Sequence, residues 1–151
     1  MLALVGFVGF CLLVGAADAA ITSSALRSWY LSLERPPGTP GPVLFAPLWA
    51  ALSGTVGTAA WLVWRRSGAA RPLRLWGWQL AAYALWIPAF FGLRSPPLGL
   101  AVLLAVAALL VATMHSFARI HRIAAWLLVP YLLWTGYALY LEIGFCWLNP
   151  M

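Results

Sequence analysis

Aromatic side chains that recur at helical spacing are the part of this sequence best suited to chemistry, and that chemistry is non-covalent binding. Gln79, Tyr83, Trp86 and Phe90 are separated by four, three and four residues, which places all of them on one face of a helix. Two further stripes follow the same spacing: Phe45, Trp49, Leu52 and Val56, and Tyr131, Trp134, Ala138 and Leu141. Indole and phenol rings pack against flat apolar molecules, and their N–H and O–H groups can orient such a ligand.

Residues for covalent or metal chemistry are sparse. Apart from the arginines, the candidates are Asp18, Glu34, Glu142, His115, His121, Cys11 and Cys146. No nucleophile, base and orienting residue occur as a set, and the histidines and cysteines lack metal-ligand spacing. The sequence therefore predicts no catalytic residue, no metal site and no required cofactor. Asp18 and Glu142 lie near predicted helix ends, so we expect both carboxylates to reach the lipid headgroups.

The composition is that of an integral membrane protein. The chain has 151 residues, of which 64% are hydrophobic and 8% charged, and its mean hydropathy is +0.92. Soluble domains carry about 25% charged residues. The net charge of +6 comes from arginines clustered between apolar runs, which indicates membrane topology and not nucleic-acid binding.

Apolar runs of membrane-spanning length predict an all-α bundle of five transmembrane helices in one domain, residues 1–151. The predicted helices are residues 1–22, 43–64, 75–93, 98–118 and 123–147. Residues 23–42 form the one long connection, and its prolines are incompatible with a regular helix. Connections this long are usually functional, so we interpret the segment as a lid over a pocket.

The arginines predict the orientation in the membrane. Six of the nine fall in the loops after the second and fourth predicted helices: Arg65, Arg66, Arg71, Arg74, Arg119 and Arg122. By the positive-inside rule this face is cytoplasmic together with the N-terminus, while the lid and the C-terminus lie on the opposite side.

The ten tryptophans divide by depth. Trp61, Trp64, Trp76, Trp78 and Trp126 lie within about five residues of an arginine, and Trp147 ends the last helix; these positions are typical of the headgroup belt. Trp49, Trp86 and Trp134 lie ~18–24 Å from the basic face at 1.5 Å per residue. We expect these three to face inward around a cavity beneath the lid, widened by bends at Pro88 and Pro130. A packed aromatic core is the alternative.

Three blocks of the sequence resemble the tryptophan-rich sensory protein or translocator protein family (TspO/MBR, the peripheral benzodiazepine receptor family). They are WYLSLERPPGTPGPVLFAPLW, WQLAAYALWIPAFFG and VPYLLWTGYALYLEIGFCWLNP. They occur in the family's order and spacing and cover most of the chain. The sequence departs from the family where Tyr83 and Glu142 replace asparagines, and Arg35 replaces the lysine before the first lid proline.

The resemblance implies a five-helix membrane protein, often a homodimer, that binds porphyrins such as protoporphyrin IX and haem. In some relatives it also implies binding of sterols or benzodiazepine-type drugs and light-dependent porphyrin breakdown. By position, the implied ligand-lining residues are Trp49, Tyr83, Trp86, Phe90, Tyr131, Trp134 and Ala138, with Tyr30, Arg35 and Pro36 from the lid.

Our first hypothesis is a membrane receptor or sensor that binds a tetrapyrrole or another flat apolar molecule. Trp49 and Trp134 would flank the ring, Tyr83 and Tyr131 would offer hydroxyl groups, and Arg27 or Arg35 would meet ligand carboxylates. Two alternatives remain: a ligand-free assembly partner of the same fold, and a small-molecule transporter. Small residues four apart on the fourth predicted helix, such as Ala101 and Ala105, favour close internal packing over a dimer interface.

Overall fold

The structure, a computed structural model, describes the backbone of residues 1–25, 29–41, 44–68 and 71–150. Every regular element in these ranges is helical. The elements are α1 (Leu2–Ala25), α2 (Trp29–Ser32), α3 (Phe45–Ser67), α4 (Arg71–Ile87), a π-helical turn (Pro88–Gly92), α5 (Pro96–Ala118), α6 (Arg122–Trp126) and α7 (Val129–Leu148). Among the described residues, two segments are long and apolar enough to cross a membrane, Pro96–Ala118 with a mean hydropathy of 2.4 and Arg122–Leu148 with 1.4. The fold is thus all-α, as predicted, and consistent with a membrane helical bundle.

Two prolines set the irregular points of the bundle. Pro88 begins the π-helical turn, in which the Leu93 N–H donates to the Pro88 carbonyl at 2.8 Å. Pro130 lies in the first turn of α7, where its missing N–H costs no helical hydrogen bond. The predicted helix 123–147 is therefore interrupted at Leu127 and Leu128. We had expected Pro130 to bend this helix, but it lies in the first turn of α7.

The helices pack unevenly, with a loose seam between α3 and α7. Contacts are extensive between α1 and α3, α4 and α5, and α5 and α7, while α1 also meets α4. In contrast, α3 and α7 approach each other closely at few points. The central core is built from apolar side chains of all the long helices, among them the fully buried Val106 and Leu110, and of Leu128 in the turn before α7.

Most tryptophans at the arginine-rich end lie on the protein surface, which a place in the headgroup belt requires, and one does not. Trp64, Trp78, Trp126 and, at the far end, Trp147 are exposed on the protein surface, and Arg65 lies over the Trp61 ring at 4.9 Å. Trp76 is only 7% exposed and packs edge-on against Phe7 of α1 with 5.6 Å between ring centroids. The prediction for Trp76 is wrong because this face of α4 packs on α1.

Candidate ligand-binding site

Residues 29–41, called here the connecting segment, are fixed to the last three turns of α7. Tyr137 donates its hydroxyl to the Gly38 carbonyl, and Tyr140 donates to the Pro37 carbonyl at 3.1 Å. Asn149 pairs with Glu34 in both directions, since its amide accepts from the Glu34 N–H at 2.9 Å and donates to the Glu34 carbonyl at 3.0 Å. These bonds join backbone groups that would otherwise lack partners.

Pro36 is the contact point of this attachment. It is buried, and its ring lies over Gly144 of α7. A Cβ atom added at Gly144 would lie 2.5 Å from Pro36 Cγ and 2.8 Å from Pro36 Cβ, so only glycine allows this approach. Pro36 therefore acts as a packing residue that fixes the height of the segment above α7.

Below the connecting segment lies an aromatic cluster built around Phe90. Trp29 packs edge-on against Phe90 at 5.4 Å between ring centroids, and Tyr30 contacts both Phe91 and Phe145 at 5.6 and 5.7 Å. Sequence reasoning selected Tyr30 and Phe90 but missed Trp29, Phe91 and Phe145. The adjacent aromatic pairs Trp29–Tyr30 and Phe90–Phe91 were the available signal.

Arg35 extends this cluster towards the surface. Its guanidinium lies 5.2 Å above the Tyr30 ring, a cation–π distance, while the side chain stays exposed. Burial raises the pKa of the Tyr30 hydroxyl, so this group remains a neutral donor and acceptor at physiological pH. The other cation proposed for ligand carboxylates, Arg27, lies outside the described residues.

A second aromatic group forms where α3, α4 and α7 meet. Trp49 packs against Tyr83 with 4.3 Å between ring centroids and against Tyr131 at 6.0 Å. The three predicted site residues do converge, but on one another. Only a void of about 10 Å³ remains beside them, so the open cavity predicted at this point is wrong for this structure.

The larger open volume lies at the seam between α3 and α7. A cleft of about 280 Å³ is lined by Pro40, Leu44, Pro47, Leu48 and Trp134. Its lining is almost entirely apolar, and its volume is near the lower end of the range for ligand pockets, about 300–1,000 Å³. Trp134 thus borders open space, with Tyr137 as its ring neighbour at 5.6 Å. Ala138, one turn further along α7, is half-buried against the central core.

Trp86 connects the two aromatic groups. Its ring stacks on Phe90 with planes 16° apart and 5.9 Å between centroids, and it also packs against the central core. Its Nε1–H donates to Glu142 Oε1 at 3.4 Å. The three deep tryptophans therefore occupy neighbouring environments: Trp49 in the second aromatic group, Trp86 under the connecting segment, and Trp134 at the cleft.

Glu142 is the residue that departs most from expectation. It is 2% exposed, so its side chain does not reach the headgroups as predicted. Its Oε1 lies against Gly99 of α5, where an added Cβ would clash with it. The carboxylate is buried because α5, at Gly99, and Trp86 cover this face of α7. The side chain of the other membrane carboxylate, Asp18, lies outside the described residues.

The burial of Glu142 leads to a stability prediction. Glu142→Gln should raise the unfolding temperature in detergent, because a buried carboxylate is costly and the glutamine oxygen can still accept from Trp86. We expect about 2–4 °C for each kcal/mol recovered. The difference in unfolding temperature between Glu142→Gln and wild type should increase as pH rises, because only the glutamate side chain can ionise. Glu34→Gln, at an exposed position, is the matched control and should leave the unfolding temperature unchanged at each pH. A lower unfolding temperature for Glu142→Gln would contradict the prediction.

The described residues include few groups that could bind a metal ion. They contain no group of three or more His, Cys, Asp or Glu side chains that could hold a metal ion. His115 bonds to Arg119 at 2.9 Å on the exposed end of α5, away from the aromatic residues. What the arrangement provides is aromatic surface, an apolar cleft and a few polar groups.

Comparison with known proteins assigns the chain to a family. The model of the TspO/MBR family matches residues 7–148. The chain belongs to the TspO/MBR family. It is 35% identical over 147 residues to the tryptophan-rich protein TspO of Chlorobaculum tepidum, covering 95% of this chain and 93% of that protein.

Relatives in other organisms carry two further names of the TspO/MBR family. The chain is 35% identical over 139 residues to the translocator protein of Bos taurus, covering 87% and 82% of the two chains. It is 33% identical over 129 residues to the tryptophan-rich sensory protein of Cereibacter sphaeroides, covering 83% and 82%. Membership of the TspO/MBR family, together with the apolar helices, makes this a membrane protein and supports a sensor or translocator role.

Proposed function

We propose that this protein is a membrane receptor for a flat, mainly apolar ligand of the porphyrin class, bound between α3 and α7 beneath the connecting segment. The observation that carries the proposal is the cleft at the loose seam, which has Trp134 on one wall and Leu48, the neighbour of Trp49, on the other. A planar molecule entering there would meet the Trp134 indole on one side and apolar side chains of α3 on the other, and offset stacking on an aromatic ring is favourable for such a molecule.

Binding would require the seam to widen. The cleft is smaller than a tetrapyrrole macrocycle, and the Trp49, Tyr83 and Tyr131 rings fill the space behind it. Because α3 and α7 share few close contacts, moving these two helices apart would cost less free energy than moving apart the closely packed α1 and α3. The rings of Trp49 and Trp134 would separate with the helices that carry them. In this proposal the structure is the closed form of the site.

The connecting segment serves in this proposal as the lid. Its end at Pro40 forms the rim of the cleft, and Arg35 at its exposed edge could pair with a ligand carboxylate such as a porphyrin propionate. Five membrane spans, with the arginine-rich end and the N-terminus cytoplasmic, would place this lid on the opposite face. The ligand would then enter from that side or from the surrounding lipid.

Titration of the protein in nanodiscs with protoporphyrin IX tests the proposal through quenching of tryptophan fluorescence. Wild type should show saturable quenching. Trp49→Phe and Trp134→Phe should each weaken the affinity by about two- to tenfold, because a smaller ring loses part of the aromatic contact. Trp126→Phe, at an exposed position on α6, is the control and should keep the wild-type affinity. Linear quenching that none of the substitutions changes would remove the proposal.

A further inference from the structure

Gln79 is a fully buried polar residue with no protein partner in the part of the chain that the structure describes. Its side chain is 0% exposed, and neither its Nε2 nor its Oε1 forms a hydrogen bond there. It faces the 10 Å³ void, which is lined by Cys11, Trp49, Ser53, Val56, Gln79, Leu80, Tyr83 and Tyr131. An amide with both ends unsatisfied is unusual, because protein interiors pair the great majority of their polar groups.

The surroundings restrict what could pair with this amide. All residues that line the void are uncharged, and three of them are aromatic. An ionised ligand group would have to lose its hydration there without a counter-charge, which is strongly unfavourable. The ligand group that fits best is therefore neutral and offers a donor and an acceptor side by side, since a carboxamide presents one N–H and one C=O in that arrangement; a single water is the competing occupant.

We propose that Gln79 is the specificity-determining residue of the site and recognises a neutral lactam edge, a ring N–H next to a ring C=O, on a flat apolar ligand. This inference rests on the proposed ligand site but not on the porphyrin as its occupant, because a porphyrin carries no lactam; it names the polar feature that a second class of flat ligand would present to the same site. The two hydrogen bonds run from Gln79 Nε2–H to the lactam oxygen and from the lactam N–H to Gln79 Oε1. The aromatic rings of Trp49, Tyr83 and Tyr131 contact the faces of the same ring system.

The route to Gln79 passes Trp49. Leu48 lines the outer cleft and Trp49, the next residue of α3, lines the inner void, so the two spaces adjoin the same turn of α3. Trp49 is half-buried on the α3 side of the loose seam. Rotation of this ring towards the seam would join the void and the cleft into one pocket with Gln79 at its inner end.

A matched pair of probes tests the pairing. The probes are 2-quinolone, a flat lactam, and N-methyl-2-quinolone, which keeps the carbonyl group and lacks the N–H. Affinities are measured in nanodiscs from tryptophan fluorescence, with empty nanodiscs as the correction for partition into lipid. Wild type should prefer 2-quinolone by about tenfold, the effect expected when one buried hydrogen-bonding group is left unpaired.

Three variants separate recognition from structure. Gln79→Met and Gln79→Leu should bring the ratio of the two affinities to about one, while Thr113→Val, a fully buried change on α5 whose hydroxyl bonds within its own helix, should keep the wild-type ratio. Without ligand, Gln79→Met should also raise Tm by about 2–4 °C, because an unpaired amide leaves the core.

Two results would overturn the inference. One is equal binding of both probes by wild type, which would mean that water alone satisfies Gln79. The other is a large fall in Tm for both Gln79 variants, which would make the amide structural. Saturable quenching by protoporphyrin IX in the same preparations tests the proposed function separately. If porphyrin binding persists while the probe preference is absent, only the role of Gln79 is wrong. If porphyrin binding is absent while the probe preference is present, only the porphyrin proposal is wrong.

Discussion

Gly57→Ala should destabilise the protein more than any other glycine-to-alanine change on α3. An added Cβ would lie 2.7 Å from Val8 Cα, 2.8 Å from Val8 N and 3.0 Å from the Phe7 carbonyl carbon. These are backbone atoms of α1, so the clash can be relieved only by moving one helix away from the other. Small residues permit such close approach in membrane bundles, and overpacking of this kind costs about 1–3 kcal/mol or more.

Thermal unfolding in detergent measures this effect, with Gly54→Ala on the same helix as the control. Nothing lies within 4 Å of a Cβ at Gly54, so that variant should unfold at or slightly above the wild-type temperature, since alanine favours helix by about 1 kcal/mol over glycine. Val8→Ala in the Gly57→Ala background should give no rescue because the clash is with the backbone. Equal unfolding temperatures for the two glycine variants would show that α1 and α3 are not packed as described.

Gly144→Ala should release the connecting segment while leaving the bundle folded. The new methyl group would occupy the position of the Pro36 ring, and the segment would have to lift from α7. This movement would break the bonds from Tyr137 and Tyr140 to the Gly38 and Pro37 carbonyls. A cost of about 1–3 kcal/mol corresponds to an increase of about five- to 150-fold in the lifted population.

Limited chymotrypsin digestion in nanodiscs reports this population, because Trp29, Tyr30 and Leu33 are half-buried and become more accessible when the segment lifts. Cleavage between residues 29 and 33, identified by fragment mass, should be faster in Gly144→Ala. Gly136→Ala, on the same helix with nothing within 4 Å of the added Cβ, should be cut at the wild-type rate. If the two variants were cut alike, Pro36 would not fix the height of the segment.

Periodicity in the sequence accounts for the helices and for the inward-facing stripes. Trp49, Tyr83 and Tyr131 come from three helices yet were selected by spacing and depth, and the structure brings them into ring contact. This works because 3.6 residues per turn fixes which side chains share a face, and Trp and Tyr need polar partners that lipid does not supply. The family resemblance selected the same residues independently.

Long-range contacts could not be read from local pattern. Asn149 and Glu34 are 115 residues apart and pair only because the connecting segment folds back over α7. The burial of Glu142 and Trp76 likewise depends on which neighbouring helix covers them, and a position near a helix end carries no information on that. Residue spacing shows which aromatic rings face one another but not how closely they pack. For that reason an open cavity was predicted where Trp49 and Tyr83 are in contact.

Hydrogen–deuterium exchange with and without protoporphyrin IX, in nanodiscs, tests most directly whether the ligand lies between α3 and α7 beneath the connecting segment. We expect slower exchange in residues 29–41, in the first part of α3 and in the middle of α7, and unchanged exchange at the arginine-rich ends of α3 and α4. Saturable binding with protection confined to those arginine-rich ends, or with no protection in residues 29–41, would contradict the proposed site.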